Sequence, residues 1–269
     1  MNHLPHLPAL GHVLVVSLAL AGAAHAQDMM RSVDLSSPQM TEAEMTREAL
    51  VAALEAASEA EPADLSGKKL NGLDLSGLDF GGAVLRSAYL NSANLSGANL
   101  DGAVLDQVWA LNADFSNASM KESSLFAAQL KGARLDGADL SGARITADLT
   151  NASLLGTTFA GANLGADMRN QSMGLMRAVL TSAKADGADL SGANLRFVDF
   201  KFASMTGANL AGADLTAATL SGANLTGANI AGAIFKQANV NSARLIDLVG
   251  EAEAIDLDTA YNLNRAWRK

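Results

Sequence analysis

The sequence predicts an all-β solenoid, a four-sided β-helix with a short α-helical cap at each end. Three observations lead there. Large apolar residues return every five positions at 65, 70, 75, 80, 85, 90, 95, 100 and 105, continue from 115 to 145, and resume from 190 to 245. Alanine stands two places before most of them, and polar residues or glycine fill the remaining positions. Aromatic residues make up only 4% of a chain that is 49% hydrophobic, so the core is built of narrow aliphatic side chains rather than the rings of a globular domain.

A period of five matches neither the 3.6 of a helix nor the 2 of a flat strand. It needs a chain that turns once per unit. Units such as Ala93-Asn94-Leu95-Ser96-Gly97, Ala138-Asp139-Leu140-Ser141-Gly142 and Ala223-Asn224-Leu225-Thr226-Gly227 give the pattern. With the central leucine and the alanine two places earlier both pointing inward, four units close a coil of about 20 residues, stacked at about 4.8 Å. Glycine after the polar residue suits corners of positive φ. Each buried leucine contributes about 1.5–3 kcal/mol, but no coil covers its own top and bottom, so the stack needs several coils and closed ends.

These units resemble the pentapeptide-repeat family, whose motif is Ala-Asp/Asn-Leu-polar-polar. The likeness runs over residues 62–246. It implies a right-handed quadrilateral β-helix, with the handedness resting on the resemblance alone. It also implies a known task, that of acidic solenoids that imitate DNA and inhibit or protect DNA gyrase and related topoisomerases. Residues 62–246 carry fifteen Asp and Glu against fourteen Lys and Arg, so the formal charge of −9 belongs to the flanks and the repeat is mixed in sign. A duplex imitator needs a regular run of negative charge. The expected role is therefore an exported, non-catalytic scaffold for macromolecular interaction in the cell envelope, with the DNA-mimic role as the alternative.

Residues 1–26 read as a signal peptide. Val13 to Gly22 is a short apolar run, and Ala24 and Ala26 supply the small residues of a cleavage site after Ala26. The run is too short to span about 30 Å of hydrocarbon. The stretch before it holds His3, His6 and His12 but no Lys or Arg, which departs from the usual leader. Removal of the leader takes away all four histidines, including His25, and the chain has no cysteine. The mature protein then has no imidazole or thiol for nucleophile activation, proton shuttling or N/S metal ligation. No catalytic, cofactor-binding or metal-binding residues are expected, and the localisation expected is periplasmic or secreted. Carboxylate pairs such as Asp136 with Asp139 and Asp186 with Asp189 follow from the repeat itself.

Residues 27–61 read as a linker and an N-terminal amphipathic capping helix. Thr41-Glu42-Ala43-Glu44 has the form of a capping box, and Met45, Ala49, Ala52, Ala53 and Ala56 share a face before Pro62 ends the segment. Residues 247–269 read as a C-terminal helical cap, with Asp258 at its start and Ala260, Leu263 and Trp267 at helical spacing. Either helix also offers a route to a homodimer. Within the repeat, the frame slips near 146–179: Leu149 comes one place early, and Gly165 to Val179 carries Met168, Met173 and Met176 beside Arg169 and Arg177. Methionine fills irregular gaps, so a bulge or short loop that bends or offsets two stacked halves of one domain is expected.

Residues just before the central leucine point outward and are mostly Asp or Asn, which makes exceptions informative. Tyr89 and Trp109 are 20 positions apart and stack on one face, with Val84 and Val104 stacking on the neighbouring face. This apolar patch is either a docking site for a protein partner or is covered by the N-terminal segment. A weaker candidate is Arg196, Phe197, Lys201 and Phe202, where rings fall at corners beside cations. No nucleic acid partner and no membrane span after leader removal are expected.

Overall fold

The computed structural model describes residues 33–58, 60–166 and 176–268. The expected leader, and with it all four histidines, lies outside them, as do Met168, Arg169 and Met173. No helix among the described residues is long and apolar enough to cross a membrane.

The five-residue period becomes a stack of coils with four bridges per turn. Asp64, Lys69, Asp74 and Asp79 pair in parallel with Val84, Tyr89, Asn94 and Asn99, each 20 residues on, and these pair again with Val104, Trp109, Asp114 and Ser119. Four columns result, called here the first to fourth faces after Asp64, Lys69, Asp74 and Asp79. Each side is held to the next coil by repeated backbone bonds, as where Val84 N–H donates to Ala63 at 2.9 Å, Leu65 N–H to Val84 at 2.7 Å and Gly67 N–H to Arg86 at 2.8 Å. Corners close through a bond such as Ala83 N–H to Phe80 at 2.8 Å, across a residue of positive φ, here Gly82 at 68°. A side chain there meets the left-handed penalty, which is why glycine recurs at this position.

Inside runs one continuous apolar cluster from Leu50 to Ala260. The central residues alternate with the small alanines, and Phe80, Phe115, Phe159, Phe200 and Phe235 are fully buried among them. Outward residues build ladders of their own. Asn94 and Asn99 amides donate to Asp74 and Asp79 at 3.0 and 2.7 Å, and Asn229 donates to Asn209, which donates to Asp189. The repeat's preference for Asp or Asn at the outward position thus serves coil-to-coil bonding as well as the Asx turn, in which Asp74 also accepts from Ser76 N–H at 3.1 Å.

The frame slip resolves into two local events. Strands β1 (Ser124–Gln129) and β2 (Arg144–Asp148) pair in parallel with a shift between Phe126 and Gln129, because the unit between Ile145 and Leu149 lacks one residue. In the next coil the Ala178 amide donates to the Leu164 carbonyl at 3.2 Å. Bridges step by 19 residues at Arg134–Ser153 and by 31 at Asp148–Val179, then return to 20 at Val179–Asp199. All four faces continue through the break, so the two halves form one stack without the expected offset, and the missing residue falls at the corner between Ile145 and Leu149.

Both ends differ from the sequence-based expectation. At the N-terminus a one-turn helix α1 (Pro38–Thr41) precedes α2 (Arg47–Glu55). Thr41 does not open a capping box, since it is the last residue of α1 and its hydroxyl donates to the Ser37 carbonyl. Thr46 is the true cap and accepts from Ala49 N–H at 3.3 Å. The buried face is also different: Leu50 is fully buried and Met45 and Leu54 pack beside it, whereas Ala49, Ala52, Ala53 and Ala56 are exposed. Leucines four apart offer more apolar area than alanines, so they take the contact with the first coil. Thr46→Ala is expected to cost about 1 kcal/mol of cap stability, measured as faster amide exchange over 47–55 with the solenoid amides unchanged.

At the C-terminus no α-helix forms. The chain adds one more coil with units of six residues, in which Val249, Ile255, Tyr261 and Trp267 bridge to Asn229, Ile234, Asn239 and Arg244. Gly250, Asp256 and Asn262 have positive φ, and each starts a 3-10 turn: Glu251–Glu253, Leu257–Thr259 and Leu263–Arg265. Leu257 and Ala260 are buried, while Leu248 and Leu263 pack on the core. Asp258 sits inside a 3-10 turn rather than at a helix start. The spacing of Ala260, Leu263 and Trp267 imitated a helix, but the governing recurrence is Ala254, Ala260 and Ala266 at intervals of six.

Candidate interaction surface

The outward exceptions stack as their spacing requires. Val84 bridges Val104 on the first face and Tyr89 bridges Trp109 on the second, and all four side chains are half-buried. Part of that cover comes from residues 33–46, which cross the second face as a strap. Gln39 Nε2 donates to the Tyr89 hydroxyl. Asn91 Nδ2 donates to the Met40 carbonyl at 3.1 Å, and Asn71 Nδ2 to the Gln39 and Glu42 carbonyls at 3.0 and 2.9 Å. Glu44 N–H donates to Lys69 at 2.9 Å, and Ala43 bridges Leu70 in antiparallel. Asn71 and Asn91 replace ordinary corner residues, are nearly fully buried and form their own ladder, with Asn71 Oδ1 accepting from Asn91 N–H at 3.0 Å. They clamp the strap. Tyr89 therefore serves the strap, while Val84, Val104 and Trp109 keep the open part of the patch.

The weaker candidate is brought to the two corners that flank the second face. Phe197 and Phe202 hold φ of 63° and 57°, a conformation costly for large side chains. Phe197 is half-buried with the Arg196 guanidinium 6.0 Å from its ring centre, and Phe202 is 67% exposed. The Phe202 ring lies over the Gly222 corner of the next coil, where a Cβ would come within 2.6 Å of it. The neighbouring cations are engaged. Lys201 and Arg177 pair with the buried Asp199 at 3.0 and 3.6 Å, and Arg196 pairs with Asp214 at 3.2 Å. A similar pair was not singled out from the sequence: Arg144 lies 5.9 Å from the centre of the Phe126 ring at the same edge of the solenoid. Its signal was available, since Phe126 takes a corner position that is otherwise polar.

Laid out by column, the exceptions are one-sided. Below the closing coil, the large apolar residues at bridging positions are Val84, Val104 and Ile234 on the first face and Tyr89, Trp109 and Val179 on the second. The third and fourth faces carry Asp, Asn, Ser, Thr, Arg and Lys at those positions. Near the register break, Gln129 and Thr146 are also almost fully buried, and their Oε1 and Oγ1 find no hydrogen-bond partner.

The carboxylates belong to the scaffold. Asp136 accepts from Ser153 Oγ at 2.6 Å and Leu155 N–H at 3.0 Å, and Asp186 accepts from Ser204 Oγ and Thr206 N–H. Asp139 accepts from Ser141 and pairs with Lys121 at 3.4 Å. Among the described residues no acidic cluster has the form of a metal site. A concavity of about 540 Å³ beside the end of α2, with Leu54, Pro62 and Phe80 in its wall, offers Asp79 as its titratable group.

Three partly buried aspartates, Asp114, Asp139 and Asp214, link the stability of the fold to pH. Burial pushes the Asp114 carboxyl up, but hydrogen bonds from Arg134 and Ser116 outweigh it and hold the group below its ordinary range. Asp139 and Asp214 are lowered the same way, burial opposed by Ser141 with Lys121 and by Thr216 with Arg196. A carboxyl lowered in the fold stabilises it above the unfolded value of about 3.9, and the gain is lost as pH falls through the folded value. Thermal melts are expected to be flat from about pH 7 to 5 and to drop below about pH 4. Asp114→Asn should make that drop shallower.

The pattern described as pentapeptide repeats matches eight copies over residues 63–107, 112–142, 175–212 and 208–245, more than half of the chain. The chain belongs to the pentapeptide-repeat family. No curated protein matches this pentapeptide-repeat protein. Among solved structures it is similar to HetL, a pentapeptide repeat protein involved in heterocyst differentiation regulation from the cyanobacterium Nostoc sp. strain PCC 7120, at 29% identity over 76% of this chain and 84% of that one, with a TM-score of 0.36. Full-length QnrB1, a plasmid-mediated fluoroquinolone resistance protein, is 18% identical over 77% and 91%, with a TM-score of 0.36. A protein of the Arabidopsis thaliana thylakoid lumen is 26% identical over 64% and 70%, with a TM-score of 0.20. Membership rests on the repeat match, not on these overlays.

Proposed function

We propose that this pentapeptide-repeat protein is an exported, non-catalytic scaffold that holds a protein partner along its first and second faces. The observation that carries the reading is the confinement of the large apolar residues at bridging positions, below the closing coil, to those two faces. A repeat ladder built only for stability has no reason to treat its sides differently, since every side bonds to the next coil in the same way. Rigid solenoid faces suit extended contact with another macromolecule. The leader-like residues 1–26 and the lack of cysteine and mature histidine support export and a role without nucleophilic or metal chemistry. The coil is read as a right-handed quadrilateral, the hand coming from family likeness.

The DNA-mimic role finds less support. Charges of both signs pair across the surface, as in Arg134 with Asp114 and Lys131 with Asp148, so they form no phosphate-like row.

The test is recovery of a partner from the native envelope fraction. Val104→Glu with Trp109→Ala should reduce recovery by about tenfold or more, as expected for truncated aromatic anchors, while Asn99→Glu on the fourth face should leave it unchanged. Equal recovery with both variants would sink the proposal. Tyr89 is left intact because it also holds the strap. Mass measurement of the exported form should give a chain beginning at Gln27.

A further inference from the structure

Charge is divided between opposite sides of the solenoid. Along the edge where the first and second faces meet, Arg86, Arg196 and Lys236 occupy the corner and Arg144 the adjoining bridging position, all of them exposed. Among the described residues Arg86, Arg144 and Lys236 have no ion-pair partner, whereas Arg196 pairs with Asp214. Below the closing coil the carboxylate at this corner is Asp106, and it is taken up by Ser124 Oγ and Phe126 N–H at 2.6 and 3.0 Å. The opposite sign gathers on and beside the fourth face. Asp79, Asp101, Glu122, Asp136, Asp186 and Asp189 lie there without a cation partner among the described residues, scattered over a face and two corners rather than set in a row.

The cationic edge is also lined with apolar side chains. Val84, Val104 and Ile234 lie beside it on the first face, and Trp109 and Val179 on the second. The Arg144 and Arg196 guanidinium groups lie 5.9 and 6.0 Å from the centres of the Phe126 and Phe197 rings. From Arg86 to Lys236 is seven coil steps, about 34 Å, the length of about ten residues of extended chain. The protein shows on itself what this side accepts. Its strap, residues 33–46, contains Asp34, Glu42 and Glu44 and no Lys or Arg. Glu44 pairs with Lys68 at 3.0 Å and Met40 is buried, so the strap is held by carboxylate and apolar contacts together. Its bonds reach the first two coils, and Arg144, Arg196 and Lys236 lie further along the same edge.

We infer that the protein partner held along the first and second faces presents an acidic segment with interspersed apolar side chains, laid along this edge past the strap. The inference rests on the reading of those faces as the partner's side. Carboxylates of the segment meet Arg86, Arg144, Arg196 and Lys236, and its apolar side chains settle on Val104, Trp109 and Ile234. The carboxylates on and beside the fourth face repel the same segment and steer it to the opposite side. An anionic glycan or lipid headgroup would satisfy the cations but leave the aliphatic residues unused.

The probe is a fluorescein-labelled peptide of glutamate, leucine and serine, about twelve residues long to span the edge, titrated into the mature chain and read by anisotropy. The expected result is saturable binding that weakens by about tenfold between about 50 and 300 mM salt. Arg86→Glu with Lys236→Glu should weaken it by about tenfold or more. Lys184→Glu with Arg244→Glu, the same change of net charge on the third face, should weaken it by less than about twofold. All four residues are exposed and without ion pairs among the described residues, and circular dichroism melts verify that the variants fold. Equal weakening by the two pairs overturns the inference, as does binding of heparin or of phosphatidylglycerol vesicles with no binding of the peptide. Recovery of the native partner separates this inference from the reading beneath it. Recovery lost with Val104→Glu and Trp109→Ala but kept with Arg86→Glu and Lys236→Glu overturns the inference and leaves the partner's side standing. Recovery indifferent to both pairs overturns the reading itself.

Discussion

Replacing Phe200 with alanine is expected to destabilise the protein by about 3–5 kcal/mol, the range for removing a fully buried ring. Phe200 has no exposed surface, and its amide donates to Thr219 at 2.8 Å while its carbonyl accepts from Ala203 at 3.0 Å. Those bonds fix the backbone as a rail. The walls of a narrow solenoid cannot close on the cavity without breaking the ladder on the adjoining sides, so relaxation recovers little. The loss should also spread, because each coil is stabilised mainly by its neighbours. Urea unfolding is expected to show a lower midpoint with earlier loss of amide protection in the coils around residues 180–220. An unchanged midpoint would mean that the interior is looser than its burial indicates.

The second large effect is expected at Gly250→Ala. Gly250 has φ of 72°, and a Cβ there would lie 2.5–2.7 Å from the Cβ, Cα and N of Ala231. Two of those three atoms are backbone, held in the coil beneath, so the closing coil itself would have to move. Gly227→Ala is the control: its φ is 69° but nothing lies within 4 Å of the added carbon. The control should cost only the left-handed penalty of about 1–2 kcal/mol. Gly250→Ala should cost about 2–4 kcal/mol, the sum of that strain and a backbone clash. Amide exchange over 249–268 should accelerate in the Gly250 variant and stay near wild type in the Gly227 variant. Similar behaviour of the two would show that the close approach at Ala231 has no energetic weight.

Most of the solenoid was legible because one rule repeats. Leu65, Leu70, Leu75 and Phe80 declare an inward position, and Tyr89 with Trp109 declares a column, once the coil length is known to be 20. The ends were harder because they obey other rules. Thr41-Glu42-Ala43-Glu44 has the letters of a capping box, but the segment is tied down by Asn71 and by the Ala43–Leu70 bridge before a helix can start there. The alanines of α2 matched a helical face, and only contact with the first coil shows that Leu50 and Leu54 define the buried one. At the other end, a six-residue unit is easily mistaken for helical spacing when only Ala260, Leu263 and Trp267 are weighed. Ala254, Ala260 and Ala266, each followed by a large apolar residue, carry the true signal.

The candidate surface was legible in part for a related reason. Spacing placed Val84, Val104, Tyr89 and Trp109 correctly because it follows from the repeat. It could not show that Gln39 would reach Tyr89, since that contact depends on a strap whose path is set by two buried asparagines far along the chain. Nor did spacing alone single out Arg144 over Phe126, which sits beside the corner that lacks a residue. One-sidedness became visible only when every outward residue was assigned to a face across the 19- and 31-residue steps.

The central claim is that the first and second faces are the working side. Photocrosslinking in the native cells tests it most directly, with a benzophenone amino acid placed at Trp109 on the second face or at Ser119 on the fourth. The expected result is one discrete protein adduct from position 109, absent from position 119 and lost when Val104→Glu is added. Adducts of equal yield from both positions, or an adduct from position 119 alone, would contradict the account.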